Sequence, residues 1–247
     1  MLPDVFLTAE WRYLALLNYR VDPKLLTDYV PAGTELDDWQ GHAYVSLVGF
    51  HFRNARIFGI PVPLHQAFEE VNLRLYIRRR VGDELRRGVR FIKEIVPAAA
   101  VTTMARLTYN EPYETREMRH RIESPHGPSP IMAEYSWSQK HGWSRLMVTG
   151  AGTAEFPLPG SEEEFITDRP WGYGTQRDGR TIEYRVEHPK WRVWQAESHL
   201  LESDPTELYG TALGKVLERP PTSVFLADGS AIKVHLPNRV ATLIRRP

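Results

Sequence analysis

Between Glu70 and Arg80 the chain reads EVNLRLYIRRR, with Val71, Leu73, Leu75 and Ile77 at every second position. Successive side chains of a strand point to opposite faces, so a strict period of two predicts a half-buried β-strand here. Tyr13 to Val21 (YLALLNYRV) and Ala43 to Phe52 also read as strands. The turn RVGDELRRG then leads into GVRFIKEI, completing a long hairpin with arginines on its polar face and tip. Arg116 to Glu123, Ile131 to Ser138, Ser144 to Phe156, Arg180 to Glu187 and Trp191 to Leu201 complete the run of strand-like segments. In SVFLADGSAIKVHL, Asp228-Gly229 predicts a hairpin turn, because that pair tolerates positive φ.

Helix signals are few. Asp22-Pro23 and Asp204-Pro205 each put a capping carboxylate before a proline that needs no donor, opening KLLTDYV and ELYGTALGKVL. Ser161 with Glu164 is a capping box opening a short helix to about Thr167. The small-residue run Ala98 to Leu107 predicts a short buried helix. Many strands and few short helices imply an α+β fold dominated by antiparallel sheet, closed or strongly curved. With no repeat, low-complexity run or linker, residues 1–247 are expected to form a single domain.

The length of 247 residues, 42% of them hydrophobic, suffices for a substantial core. There is no cysteine, which excludes disulfides, thiolate metal sites and a cysteine nucleophile. Basic and acidic residues balance at 31 each, so no global field draws nucleic acid or an anionic membrane, and neither is expected as a partner. Seven arginines lie between Arg74 and Arg90, but Asp83, Glu84 and Glu94 interrupt them, and a solvated face is the expected role. The opening MLPDVFLTAEWR has no basic segment followed by a long apolar run, and no window reaches the roughly 18 apolar residues of a span; a cytoplasmic protein is expected.

The nine histidines show no pair at metal-site spacing, no G-x-S-x-G elbow is present, and GAG at Gly150 to Gly152 fits a bulged strand better than a dinucleotide loop. Neither a metal nor a cofactor is expected. What remains is a scatter of charges within apolar segments: Arg12, Arg20, Glu70, Lys93, and the cluster Arg106, Glu111, Tyr113 and Glu114. Buried charges without partners are costly, so these must pair, face water or line a cavity.

The stretches WRYLALLNYRVDPKLLTDYVPAGTELDDWQGHAYVSLVGF, FEEVNLRLYIR, GVRF, ARLTYNEPY, EEFITDRPWGY and VEHPKW resemble the uncharacterised YqjF-like family over roughly Glu10 to Trp194. That family in turn resembles acetoacetate decarboxylase, which implies a cone-like closed β-barrel around a pocket. Arg12, seven residues before Tyr19-Arg20-Val21-Asp22 and followed by Val30-Pro31, matches the decarboxylase's active-site arginine. Glu70 in FEEV matches its active-site glutamate. Counting from Arg106 to Pro112, the decarboxylase's Schiff-base lysine and its neighbouring lysine fall on Tyr113 and Glu114. Neither forms an imine, so decarboxylation by that route is not expected; Lys93 is the one nearby amine to test.

The resemblance leaves Glu70, Tyr113 and Glu114 as catalytic candidates, with Arg12, Arg106 and His188 as ligand-binding candidates. Arg12 offers a planar fork for a small carboxylate or related anion, Glu70 a general base or acid, and Tyr113 a donor to a carbonyl or enolate oxygen. Two readings stand: non-covalent acid–base chemistry on a small oxo or hydroxy carboxylic acid, or binding and sensing without catalysis. A scaffold with merely paired charges is the third, and the sequence leaves a homo-oligomer open.

Overall fold

The structure, a computed structural model, describes residues 4–62, 66–97, 110, 112–123 and 131–240. Its strands are β1 (Val5–Val21), β2 (Glu35–Leu36), β3 (Ala43–Ile57), β4 (Ile60–Pro61), β5 (Phe68–Val81), β6 (Glu84–Val96), β7 (Tyr113–Thr115) and β8 (Met118–Glu123). They continue as β9 (Ile131–Gln139), β10 (Gly142–Gly150), β11 (Trp171–Thr175), β12 (Thr181–Glu187), β13 (Val193–Glu202), β14 (Ser223–His235) and β15 (Asn238–Arg239). A 3-10 helix spans Pro23–Tyr29, and two α-helices, α1 (Glu162–Thr167) and α2 (Pro205–Leu217), complete the described elements. The helix expected over Ala98 to Leu107 lies outside the described residues.

The mixed sheet curls into a ring. Strands run in the order β12-β11-β6-β5-β3-β1-β14, and pairing of Val186 with Val234 and Glu187 with Lys233 joins β14 back to β12. Most neighbours are antiparallel; β11 with β6 and β6 with β7 are parallel. From β14 an arm continues through β13, β10 and β9 to β8.

One core lies on each side of the ring strands. Val71, Leu73, Leu75 and Ile77 pack on the side that also holds Trp137 and Leu146 of the arm and Leu208 and Leu213 of α2. Phe50, Phe52, Phe68, Tyr76, Ile182 and Phe225 form the second core on the inner side. The half-buried assignment of the Glu70 strand is therefore corrected: Glu70, Asn72, Arg74 and Tyr76, on the face expected to meet water, are buried as well. Alternation reports that two faces differ, not that one is wet.

All three caps form. Asp22 Oδ1 accepts from the Lys24 amide at 2.9 Å, Ser161 Oγ from Glu164 at 3.2 Å, and Asp204 Oδ1 from Glu207 at 3.0 Å. The Asp228-Gly229 hairpin does not: β14 runs straight through it. Gly229 has φ +76° and faces Arg12 across the ladder, next to Tyr13 at φ +56°. On β3 the register slips between Arg12 and Ala15, so β1 carries an extra residue there. The pair that spells a tight turn instead supplies a positive φ inside a continuous strand, opposite the point where β1 carries its extra residue, because glycine meets that φ in either setting. Gly150 likewise sits at a register shift between β10 and β13.

The arginine-rich hairpin is less solvated than its composition implies. Glu183 of β12 binds Arg79 at 2.8 Å and Arg86 at 2.7 Å, while buried Asp37 binds Arg87 at 3.0 Å and Arg169 at 2.6 Å.

The arm meets the ring at a titratable contact. The ring of His51 on β3 lies tilted against that of His120 on β8 with centroids 4.2 Å apart, and His120 Nδ1 lies 2.6 Å from Glu69 Oε1. Arg53 Nε donates to His51 Nδ1 at 3.2 Å, which fixes a neutral imidazole. Burial, then the charges of His120 and Arg53, push the His51 pKa down to about 4. Between the unfolded value, about 6.5, and this folded value, the unfolded chain takes up the proton the folded chain refuses. Stability is thus full above about pH 6.5 and falls as pH drops toward 4. Thermal unfolding across that range is expected to show a declining melting temperature in wild type and a flatter profile in His51→Gln; equal slopes would remove His51 as the cause.

Candidate functional site

The ring encloses a cavity of about 170 Å³ whose wall is largely apolar and rich in aromatic side chains. Trp11 of β1 stands edge-on to Phe50 at 5.5 Å and to Trp191 at 6.3 Å, and Phe52 stacks on Phe68 at 4.5 Å. Against this wall stand Glu70, Asn72 and Arg74 of β5, Glu94 of β6, Tyr113 of β7, Arg169 after α1, and His188 after β12.

Strand period places the β5 groups. Inward positions 68, 70, 72, 74 and 76 alternate with the outward hydrophobics, so an aromatic closes each end of a polar triplet. Glu70 is 2% exposed. Asn72 Nδ2 donates to its Oε1 at 2.9 Å, and the Tyr113 hydroxyl stands 3.4 Å from Oε2, at the long limit of a hydrogen bond. Tyr113 reaches this position because β7 runs parallel beside β6, with Tyr113 in register with Glu94.

At the other end of the triplet Arg74, 7% exposed, donates from Nη2 to the Ile166 carbonyl at 3.1 Å. Arg169, 5% exposed, donates from Nε to the Phe165 carbonyl and from Nη1 to Asp37 at 2.6 Å. The last carbonyls of α1 have no partners within their own helix, and these guanidinium groups supply them. Burial pushes the Arg169 pKa below its ordinary value, with Asp37 opposing. His188 donates from Nδ1 to the Pro189 carbonyl at 2.9 Å, so its neutral form carries its lone pair on Nε2. Its ring stacks on Trp191 at 4.4 Å, and burial lowers its pKa.

Of the residues singled out from the sequence, Glu70, Tyr113 and His188 come together in the cavity wall. Arg12 and Glu114 are not in that wall. Trp11 takes the inward place on β1, and Arg12 turns away to Glu10 at 2.7 Å. Glu114 binds Lys93 at 2.8 Å and also pairs with Arg116. Burial pushes the Glu114 pKa up, but the hydrogen bonds from Lys93 and Arg116 outweigh it and hold the carboxyl below its ordinary value. Lys93 is outside the wall too: the register slips between Leu73 and Arg74, and Phe91 and Glu94 take the inward places on either side. Arg106 and Glu111 lie outside the described residues. Sequence reasoning missed Asn72, Arg74, Glu94 and Arg169. The signal for the first two was present: a polar face bounded by Phe68 and Tyr76 is an improbable solvent face.

Residues 8–231 match the pattern of DUF2071, a family described as an uncharacterized conserved protein. The chain belongs to this family. It is 24% identical over 207 residues to the uncharacterized protein YqjF of Bacillus subtilis (strain 168), covering 82% of this chain and 81% of that one. The fold is similar to that of solved acetoacetate decarboxylase-like structures. Acetoacetate decarboxylase from Legionella pneumophila superposes with a TM-score of 0.66 at 14% identity, covering 98% of this chain and 90% of that one. An acetoacetate decarboxylase-like enzyme from Sphingomonas wittichii RW1 gives 0.65 at 16% identity, covering 98% and 96%. The enduracididine biosynthesis enzyme MppR, complexed with pyruvate, gives 0.67 at 14% identity, covering 98% and 93%. At these identities the likeness concerns the fold. Among the described residues no helix is long and apolar enough to cross a membrane.

Proposed function

We propose that the cavity is a small-molecule site in which Glu70 and Tyr113 carry out non-covalent acid–base chemistry on a small oxo or hydroxy carboxylic acid, in the cytoplasm. The carrying observation is the Tyr113 hydroxyl 3.4 Å from a Glu70 carboxylate 2% exposed, in the wall of one cavity. Glu70 takes the proton from the carbon beside the carbonyl, Tyr113 turns its hydroxyl to the enolate oxygen, the proton on Glu70 exchanges with solvent, and Glu70 returns the exchanged proton to carbon. A covalent route has little support. By the resemblance drawn from the sequence, the decarboxylase's lysines fall on Tyr113 and Glu114, and no lysine is among the described residues of the cavity wall. That MppR is a structure with pyruvate agrees with an oxo acid as the class of ligand.

One observation favours the second reading, binding or sensing without turnover. Both Glu70 oxygens already accept hydrogen bonds, which suits a positioned acceptor as well as a base.

Deuterium wash-in at carbon, followed by NMR across a panel of small oxo acids in D2O, separates the two. Wild type is expected to exchange, Glu70→Gln to slow exchange by about 10²–10⁴-fold, and Tyr113→Phe by about ten- to hundredfold. An acid that binds wild type and returns with no deuterium would leave only the binding reading.

A further inference from the structure

The cavity has a second polar feature that the acid–base pair does not use. Two buried guanidinium groups stand at its α1 end, and each keeps a donor nitrogen without an acceptor among the described residues: Arg74 Nε and Arg169 Nη2. Their central carbons lie 5.7 and 5.0 Å from the centre of the same ring, Tyr76. Arg74 makes no ion pair among the described residues, and Arg169 shares its one carboxylate, Asp37, with Arg87. A buried N–H left unbonded is costly, the more so when it carries charge, so a built arrangement of this kind calls for an anion.

We propose that Arg74 and Arg169 form a carboxylate-binding end of this cavity, and that its ligand is a monocarboxylic acid with an aromatic or extended apolar body. This rests on the small-molecule reading of the cavity above. A planar fork matches a carboxylate, and the space beyond is lined by Trp11, Phe52, Phe91 and Trp191, which suit an apolar body and not a hydrated polyanion. Glu70 and Glu94, in the same wall, oppose a phosphate dianion more than a single negative charge. Glu70 stands four residues from Arg74 on β5, roughly 13 Å along the backbone. An acid that reaches both ends therefore carries its carboxylate several bonds from the group meeting Glu70.

The test compares three probes of one shape: 3-phenylpropanoate, 3-phenylpropanamide and 3-phenylpropylamine. Trp11, Trp171 and Trp191 line the cavity, so tryptophan fluorescence reports occupancy. Wild type is expected to bind the carboxylate with saturation, about tenfold or more tighter than the amide, with the amine weakest. Arg74→Met, which keeps length and packing, is expected to lose roughly ten- to hundredfold in carboxylate affinity while the amide is unchanged. Arg74→Lys should fall between them. Equal binding of acid and amide by wild type overturns the proposal, as does absence of saturation by the acid. Unchanged acid affinity in a folded Arg74→Met does the same. Should both variants fail to fold, the acid-to-amide ratio in wild type decides alone. Loss of deuterium exchange in Glu70→Gln bears only on the acid–base reading; lost discrimination with exchange retained removes only the carboxylate end.

Discussion

Asp37→Ala is expected to lower the free energy of unfolding by about 3–5 kcal/mol, the usual cost of leaving a buried charge without its partner. Asp37 is 1% exposed and stands between β2 and β3. Its carboxylate binds Arg169 at 2.6 Å and Arg87 at 3.0 Å, with Arg78 at 3.6 Å. Arg169 is the member that cannot reach water, so it bears most of the loss. For a chain of this size the melting temperature should drop by about 6–20 °C. Arg169→Met alone removes the same pair from the other side, and the double variant is expected to recover part of the combined loss, because the buried guanidinium that Asp37 neutralises is gone with it. A shift under about 2 °C in Asp37→Ala would show that the three arginines are neutralised otherwise. The contact also matters to the cavity: Asp37 holds Nη1 of Arg169 while Nη2 is left for a ligand.

Gly229→Ala is expected to cost about 3 kcal/mol or more, from two sources that add at one atom. The residue has φ +76°, a conformation that side chains rarely adopt, and a methyl group there would lie 2.0 Å from the Trp11 carbonyl oxygen. That carbonyl belongs to backbone at the junction of β1 and β14 and cannot swing aside as a side-chain tip would. Gly82→Ala is the control: φ is +57° but nothing stands within 4 Å of the added methyl, so it should lose only about 1 kcal/mol. Chemical denaturation of the two variants side by side gives the comparison, and equal losses would mean that the close approach to Trp11 is relieved by relaxation. Because Trp11 lines the cavity, Gly229→Ala should also weaken 3-phenylpropanoate binding.

Much of the scaffold was legible because local chemistry dictated it. The caps at Asp22, Ser161 and Asp204 form as read, since an exposed amide at a helix start needs an acceptor from the nearest side chain. Strands were read where apolar residues alternate. Trp171–Thr175 was missed because Gly172 and Gly174 weaken any strand signal; the reason for Gly172 lies elsewhere, in a Tyr184 ring that would sit 2.1 Å from a methyl group there.

The candidate site was legible only in part. Glu70 and Tyr113 were found through resemblance, and both line the cavity. Arg12 was singled out through the resemblance to acetoacetate decarboxylase, yet alternation along β1 gives the inward place to Trp11. Arg169 could not be connected with Arg74 because they are 95 residues apart in the chain and meet only in the fold, at the carbonyls that end α1 and at the ring of Tyr76.

The sequence by itself determined the elements: strand periodicity, three capped helix starts, a chain without thiols, and a polar triplet at Glu70, Asn72 and Arg74. Only the tertiary structure decided what that triplet faces. A strand's period divides its side chains into two sets but is silent on what covers each. Closure of the ring through β12 and β14 turned an apparent solvent face into a cavity wall. It likewise kept Asp228-Gly229 inside a strand, because positive φ is a local property whereas the partner strand that meets it is supplied from the far end of the chain.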